Sequence, residues 1–305
     1  MLIYPAEPFA GRVPDSAYSP ELDEAQRAGL GTALLDFEAL LEGDLTRALR
    51  WVSRSDAPQL AVYRGWMMRP EMYADLYAGL LNRNWRLINT PEQYRHTHLL
   101  PESFGAIAEH SPHTVWIPAA TQSDMDPAAV AVAMASFGTG ALIVKDYVKS
   151  RKHEWDEACF IPDASDTVAA MQVIQTFLSR QGSEFQGVLV LRAFEPFAPL
   201  TTHSQSGMPL TREYRLFFAD GEVLSAAEYW EEGRYEGEPL PLEHFRRIAR
   251  KIDSRFFTVD VAQRTDGVWR VMELGDGQVA GLPDRLDRPA FYAGLAKVTA
   301  SDRQN

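Results

Sequence analysis

Three basic residues interrupt apolar, strand-like segments in the second half of the chain. Lys145 lies in LIVKDYV, Arg192 in VLVLRAF and Arg215 in REYRLFF. An unpaired charge buried in such a segment is costly, so each side chain needs a carboxylate, a phosphate or water beside it. For Lys145, the residue alone leaves two interpretations open: an outward-facing strand lysine and a phosphate ligand.

Both arginines have an acid nearby in sequence. Glu195 follows Arg192, and Glu213 lies two residues before Arg215, on the same face of a predicted strand because side chains alternate. A guanidinium in this position pairs with a carboxylate or a phosphate. A structural Glu–Arg pair across a sheet face therefore remains an alternative to phosphate binding for Arg215.

A basic loop, KSRKHEW, follows the lysine strand and contains Lys149 and Lys152. It stands out because the chain as a whole is acidic. Such a cluster suits a segment that closes over polyphosphate, although basic runs are also common in ordinary solvated loops.

Two acids are embedded in the apolar strands of the final predicted hairpin. Asp260 lies in TVDVAQ and Glu273 in VWRVMEL, and the turn at Asp266-Gly267 brings them to one end on adjacent strands. Close carboxylates repel each other unless a cation lies between them, and oxygen ligands suit Mg²⁺. Asp276, in the glycine-rich turn that follows, is predicted to supply a further oxygen ligand.

Hydrophobic periodicity predicts the elements that position these residues. In the first 118 residues, LAVYRG and WRLIN read as strands separated by a helix from about Pro70 to Arg83, which favours a small parallel α/β domain. Arg64, at the end of the first of these strands, is predicted to face substrate, because open parallel sheets bind ligands at that edge.

The rest of the chain is predicted to be α+β. Helices are expected over about 126–137 and 165–180, with the lysine strand between them. Beyond residue 188 the segments are strand-rich, and the Asp220-Gly221 and Asp266-Gly267 pairs predict hairpins and hence antiparallel pairing.

Composition limits the classes of function. The 305 residues carry a formal net charge of -12, so no general positive field attracts nucleic acid, and we do not expect nucleic acid as a partner. With Cys159 as the sole cysteine, an internal disulfide is excluded. The pair of His96 and His98 has no nearby acidic run, so we do not expect a zinc site. No stretch reaches about 18 apolar residues, and we expect a cytoplasmic protein without membrane contact.

The order of these motifs resembles the ATP-grasp superfamily. The similarity is closest to the divergent clade named for two arginines and a lysine, which includes the eukaryotic cell-division-cycle translation-initiation assembly factors. It rests on LIVKDYVKS, VLVLRAFEP, REYRLFF and DVAQRTDGVWRVMELGDGQVAGLP, which span about residues 140–285.

The resemblance implies roles for the residues singled out above. Lys145 would contact the α- and β-phosphates of ATP, and Arg192 and Arg215 would face phosphate or a charged intermediate. Asp260 and Glu273 would hold Mg²⁺. The remaining expected ATP contacts are a backbone hinge at Leu191, Arg192, Ala193 and Phe194, together with Lys149, Lys152, Glu195 and Glu213.

One departure from the family pattern concerns the second metal position. The clade usually places an asparagine two residues after the glutamate, where this chain has Gly275. Asp276 is the predicted substitute.

The resemblance also implies a fold and a function. The fold would be two α+β subdomains that clasp ATP, over 119–187 and 188–298, preceded by an α/β pre-ATP-grasp domain at 1–118 and followed by a tail at 299–305. The expected activity is ATP- and Mg²⁺-dependent ligation of a carboxylate to an amine through an acyl phosphate, with a peptide or protein as the expected substrate class. The alternatives are an ATP-binding assembly factor without turnover and a nucleotide-free interaction protein.

Overall fold

The computed structural model describes residues 1–118, 125–147, 151, 154–182, 185, 187–204 and 209–302. The N-terminal part is a four-stranded parallel sheet in the order β2-β1-β3-β4, as the alternation of strands and helices predicts. Its elements are β1 (Leu2–Pro5), α1 (Ser19–Arg27), β2 (Thr32–Leu35), α2 (Phe37–Leu41), α3 (Leu45–Ala48), β3 (Gln59–Tyr63), α4 (Pro70–Leu81), β4 (Trp85–Leu87), α5 (Pro91–His98) and α6 (Leu100–Ile107).

A second sheet has four antiparallel strands in the order β5-β8-β6-β7. Alternate residues of its central strands, such as Leu142, Val144 and Leu189, pack into an apolar core with helices α7 and α9. The period of two leaves Lys145 and Arg192 on the opposite face. The elements are β5 (Thr114–Pro118), α7 (Pro127–Ala135), β6 (Leu142–Lys145), α8 (Trp155–Ala158), β7 (Phe160–Ile161), α9 (Thr167–Gln181) and β8 (Val188–Ala193).

These strand pairings cross the predicted domain boundaries at 118/119 and 187/188. Strand β5, assigned to the first domain, pairs with β8, and β8, assigned to the last domain, lies between β5 and β6. The difference arises because β5 and β8 are 70 or more residues apart in sequence, so no local pattern shows that they pair.

The third sheet is antiparallel in the order β12-β11-β13-β14, which confirms the prediction from the hairpin signals. Asp220 and Gly221 join β11 to β12 with φ angles of 48° and 83°, and two successive positive φ values are what a tight hairpin turn requires. The C-terminal elements are β9 (Pro199–Thr202), β10 (Pro209–Thr211), β11 (Glu213–Ala219), β12 (Glu222–Glu228), α10 (Leu242–Ala249), β13 (Phe256–Gln263), β14 (Trp269–Asp276) and α11 (Arg288–Ser301).

One face of the third sheet is apolar at one end of its strands and charged at the other. At one end Phe217 and Phe256 share a core with the N-terminal sheet and with Phe291 of α11. Two residues further along β11 the same face carries Arg215, next to Asp260 of β13. The apolar end attaches the sheet to the N-terminal domain, and the charged end remains for chemistry.

Among the described ranges, no helix combines the length and the apolar character needed to cross a bilayer.

Candidate functional site

A row of charged side chains crosses the third sheet. Arg215, Asp260 and Glu273 are direct register partners on β11, β13 and β14. The Arg215 Nε and Nη2 atoms donate to the two Asp260 carboxylate oxygens at 2.8 and 2.7 Å. The two acids therefore lie on adjacent strands, as the hairpin pattern predicts.

Lys145 extends to this row from the second sheet. Its Nζ atom donates to Oε1 of Glu273 at 2.9 Å. Lys145 is only 5% exposed, whereas the Glu273 side chain is 40% exposed. The lysine thus faces the site, and the outward-facing interpretation is excluded.

Arg192 lies beside Lys145 on the same face of the second sheet and is buried. Its Nε donates to Thr114 Oγ1 at 3.1 Å and its Nη1 to the Met272 carbonyl, but Nη2 has no hydrogen-bond partner among the described residues. Burial lowers the pKa of the Arg192 guanidinium, and the nearby Glu273 carboxylate opposes this shift. An anion that accepts from Nη2 would satisfy the unpaired donor.

Arg215 is paired more completely. Besides Asp260, its Nη1 donates to the Gly281 carbonyl at 3.0 Å, and its guanidinium lies 4.8 Å from the centre of the Tyr229 ring. Burial opposes its charge, but Asp260 outweighs burial and raises the pKa of Arg215. Glu213, the partner that sequence spacing suggested, instead accepts from Thr211 Oγ1 at 2.9 Å.

A cavity of about 240 Å³ opens over the charged row, on the side of the N-terminal domain. Its walls include Met67, His98, Arg215, Tyr229, Asp260 and Glu273. The N-terminal domain therefore contributes side chains to the same space as the two acids.

Asp276 is placed differently from the predicted metal ligand. It is fully buried, and its carboxylate accepts from Asn89 Nδ2 at 2.6 Å and from the Gln278 amide at 2.9 Å. Asp276 borders the same cavity as Glu273, but it follows Glu273 by an odd number of residues, so the pleat directs its carboxylate to the other face of β14. Asp276 joins the N-terminal domain to the turn after β14, and we do not assign it to a metal.

Glu195 also differs from its predicted role in ATP binding. Its Oε2 accepts from Arg264 Nη1 at 3.3 Å and from Arg270 Nε at 3.0 Å. The carboxylate therefore ties the end of β8 to the hairpin formed by β13 and β14.

The predicted backbone hinge is largely occupied by sheet hydrogen bonds. The amides of Ala193 and Phe194 donate to His113 and Ala141 carbonyls, both at 2.8 Å, and Leu191 is buried in the core of the second sheet. These two amides are therefore not available to adenine, because β8 is a central strand.

The side chain of Phe194 offers a different surface. It is 44% exposed and lies edge-on to the rings of Trp155 and Phe160, which stack on each other at 5.0 Å. Phe194 directly follows β8, two residues after Arg192, and Phe160 and Arg192 are both register partners of Ile143, so this aromatic cluster borders the same face as the buried arginine. Helix α8 and its tryptophan were not expected from the sequence.

Arg64 does not face a substrate. It is fully buried, pairs with Glu21 at 2.9 Å, and donates to the Gly277 and Ala280 carbonyls at 2.6 and 2.7 Å. It therefore holds the turn after β14 against the N-terminal domain. Lys149 and Lys152 lie outside the described residues.

Sequence reasoning missed the contribution of α5. A capping box begins this helix, with Thr90 and Gln93 satisfying each other's backbone amides, and its last residue, His98, lines the cavity. The Thr-Pro-Glu-Gln sequence is the available signal, because Thr followed three residues later by Gln marks a helix start.

Comparison with known proteins connects this arrangement to one family. The model of an ATP-grasp domain family, the third in the clade named for two arginines and a lysine, matches residues 136–295. No curated protein sequence gave a significant match.

Solved structures match the whole chain at low identity. The ATP-grasp ligase PsnB, complexed with precursor peptide PsnA2 and AMPPNP, is 13% identical, with a TM-score of 0.58 over 100% of this chain and 98% of its own. A RimK domain ATP-grasp protein from Sphaerobacter thermophilus is 14% identical, with a TM-score of 0.58 over 98% and 100%. D-alanine–D-alanine ligase from Bacillus anthracis, complexed with ATP, is 12% identical, with a TM-score of 0.55 over 99% and 97%. At these identities the likeness shows a shared fold.

Proposed function

The chain belongs to the third ATP-grasp family of the two-arginine-and-lysine clade and has the α+β ATP-grasp fold, and from this premise we propose that it is an ATP- and Mg²⁺-dependent ligase. It would join a carboxylate to an amine through an acyl phosphate. The observation that carries the proposal is the meeting of the second and third sheets, where Lys145 bonds to Glu273, the register partner of Asp260, and Arg192 donates to the Met272 carbonyl.

Two buried cations support the placement of ATP phosphates in this cleft. Lys145 and Arg192 lie diagonally across neighbouring strands on one face, and the Arg192 Nη2 donor lacks a partner in the described structure. A polyphosphate supplies the acceptor oxygens that such donors need. Lys145 would have to exchange its Glu273 partner for phosphate, and the exposed side of Glu273 leaves room for that exchange.

The acid pair fits Mg²⁺ bound together with phosphate. Asp260 and Glu273 are opposite each other on β13 and β14, but the described ranges contain no cluster of three or more His, Cys, Asp or Glu side chains arranged to hold a metal. Mg²⁺ is commonly held by one or two carboxylates plus substrate phosphates rather than by an all-protein cage. Bound there, it would neutralise charge on the transferring phosphoryl group.

The protein side chains have separate tasks in this proposal. Arg192 and Lys145 bind and orient phosphate oxygens. Arg215 fixes Asp260 through two hydrogen bonds, so that one carboxylate is held at a defined position. The aromatic cluster of Trp155, Phe160 and Phe194 offers an apolar surface for the adenine ring.

The PsnB structure contains a precursor peptide, and on that basis we propose a peptide or protein for this chain as well. The cavity over the charged row is where the carboxylate and the amine would meet the phosphoryl group.

An ATP-binding assembly factor without turnover is the second candidate. It is favoured by Gly275, which stands where the clade usually has an asparagine. A Cβ atom at Gly275 would lie 2.8 Å from Thr258 Oγ1. The Thr258 side chain would therefore have to move to admit an asparagine at position 275.

ADP formation distinguishes the two candidates. Purified protein is incubated with Mg-ATP and panels of acids and amines, including peptides, and ADP is measured for the wild type and for Glu273→Gln. Turnover that depends on both an acid and an amine, and that the variant loses, supports the ligase. Tight ATP binding without ADP formation, together with co-purification of one protein, supports the assembly factor.

A further inference from the structure

His98 is a buried imidazole that meets the cavity without a hydrogen-bond partner among the described residues. It is 7% exposed, and its ring stacks on Tyr94 at 4.9 Å with an interplanar angle of 24°. The ring lines the cavity together with Asp260 and Glu273.

A buried polar ring of this kind is costly unless something pairs with it. Polar groups in protein interiors are nearly always hydrogen-bonded to protein or to ordered water. The ring nitrogens of His98 are not fully shielded from solvent, and the ring lines the cavity. The polar edge of His98 therefore opens to the cavity. Water or a ligand in the cavity would therefore be the partner of His98.

Burial lowers the pKa of His98 to about 4, and the Glu273 carboxylate opposes this shift. A neutral ring offers one N–H donor and one acceptor nitrogen.

The position of His98 indicates which group it binds. Lys145 and Arg192 approach the acid pair from the second sheet, and the cavity borders the acid pair next to Met67 and His98 of the N-terminal domain. Phosphates held by these cations and by metal at the acid pair would end in the cavity. We propose that the ring N–H of His98 donates a hydrogen bond to the terminal phosphoryl group of ATP. This proposal rests on the proposed nucleotide site.

Two variants separate this role from simple packing against Tyr94. His98→Phe keeps an aromatic ring for stacking but removes the N–H donor. His98→Gln keeps an N–H donor but removes the aromatic stack. His113→Gln is the matched control, because His113 is exposed and contacts Ser136 Oγ at 3.2 Å, outside the cavity lining.

The experiment measures binding by calorimetry, so it does not need a substrate or turnover. Mg-AMPPNP and Mg-ADP are titrated into each protein, and melting temperatures are recorded to confirm folding. We expect the wild type and His113→Gln to prefer AMPPNP over ADP. His98→Phe should bind AMPPNP about tenfold more weakly with ADP affinity unchanged, whereas His98→Gln should retain part of the preference.

Other outcomes would overturn the inference in distinguishable ways. If His98→Phe keeps the full preference and only His98→Gln loses stability, the ring serves packing, and the proposed function stands without this contact. If the wild type does not distinguish AMPPNP from ADP, the terminal phosphoryl group is not recognised here. If the wild type binds neither nucleotide, the proposed function fails and this inference fails with it.

Discussion

Replacing Arg192 with methionine separates nucleotide binding from folding. Two hydrogen bonds from a charged donor contribute about 1.5–3 kcal/mol each. Burying a guanidinium and leaving Nη2 without a partner costs several kcal/mol in the opposite direction. These contributions are of similar size. Without nucleotide, we therefore expect the free energy of unfolding of Arg192→Met to lie within about 1 kcal/mol of the wild-type value.

The same variant should lose most of its response to nucleotide. At 100 times its Kd, Mg-ATP stabilises a folded protein by about 2.7 kcal/mol, which corresponds to roughly 5 °C in Tm. Loss of a hydrogen bond to phosphate, about 1.5–3 kcal/mol, weakens binding about 10- to 150-fold. At the same nucleotide concentration the stabilisation then falls to about half or less.

Urea unfolding and thermal scans, each with and without Mg-ATP, measure both effects. Arg95→Met is a suitable control, because Arg95 pairs with Glu102 on the surface with a side chain 53% exposed. The reasoning is refuted by an Arg192→Met protein that loses several kcal/mol of stability but keeps the full response to Mg-ATP. That result would make Arg192 a structural residue.

Three further predictions concern the acids and the domain contact. Glu273→Gln should raise the Mg²⁺ concentration needed for half-maximal ATP-induced stabilisation roughly tenfold, whereas Asp276→Asn should leave that concentration unchanged. Equal effects of the two substitutions would indicate that Asp276 is a metal ligand. Burial raises the pKa of Asp276 from 3.8 to about 6, so the folded state holds this proton more tightly and stability falls as pH rises from about 4 to 6. Urea unfolding across this window should therefore show a smaller decline for Asp276→Asn, and parallel curves would contradict this. Arg64→Ala should lower the free energy of unfolding by about 3–5 kcal/mol, because it leaves the buried Glu21 without its ion-pair partner and removes the bonds to the Gly277 and Ala280 carbonyls; a loss below about 1 kcal/mol would show that Arg64 does not hold the turn after β14 against the N-terminal domain.

The sequence predicted the parts of the site that depend on local periodicity. A period of two places the side chains of a strand on alternate faces, so Lys145 and Arg192 could be recognised as charges on otherwise apolar strands. The Asp266-Gly267 turn similarly indicated that Asp260 and Glu273 lie on adjacent strands, and the structure pairs them directly.

The sequence could not identify partners that come from distant elements. Asp276 is held by Asn89, 187 residues away, and Arg64 reaches the Gly277 carbonyl 213 residues away. An acid in a glycine-rich turn and an arginine at a strand end look functional in isolation. Only the packing of the N-terminal domain on the third sheet shows that they are structural.

For a related reason, the Ala193 and Phe194 amides of the predicted hinge are not free to bond adenine. The resemblance placed adenine on the backbone of β8, but that strand lies between β5 and β6 and its amides bond to them. The order of strands in a sheet depends on long-range pairing, which motifs in sequence do not reveal.

A calorimetric titration of Mg-ATP is the most direct test of the central claim that nucleotide phosphates bind between the second and third sheets. It compares the wild type with Lys145→Met and Glu273→Gln, and uses Asp276→Asn as the control. We predict binding by the wild type and by the control, and binding weakened at least about tenfold in the other two variants. Absence of binding by the wild type, or undiminished binding by Lys145→Met, would contradict the account.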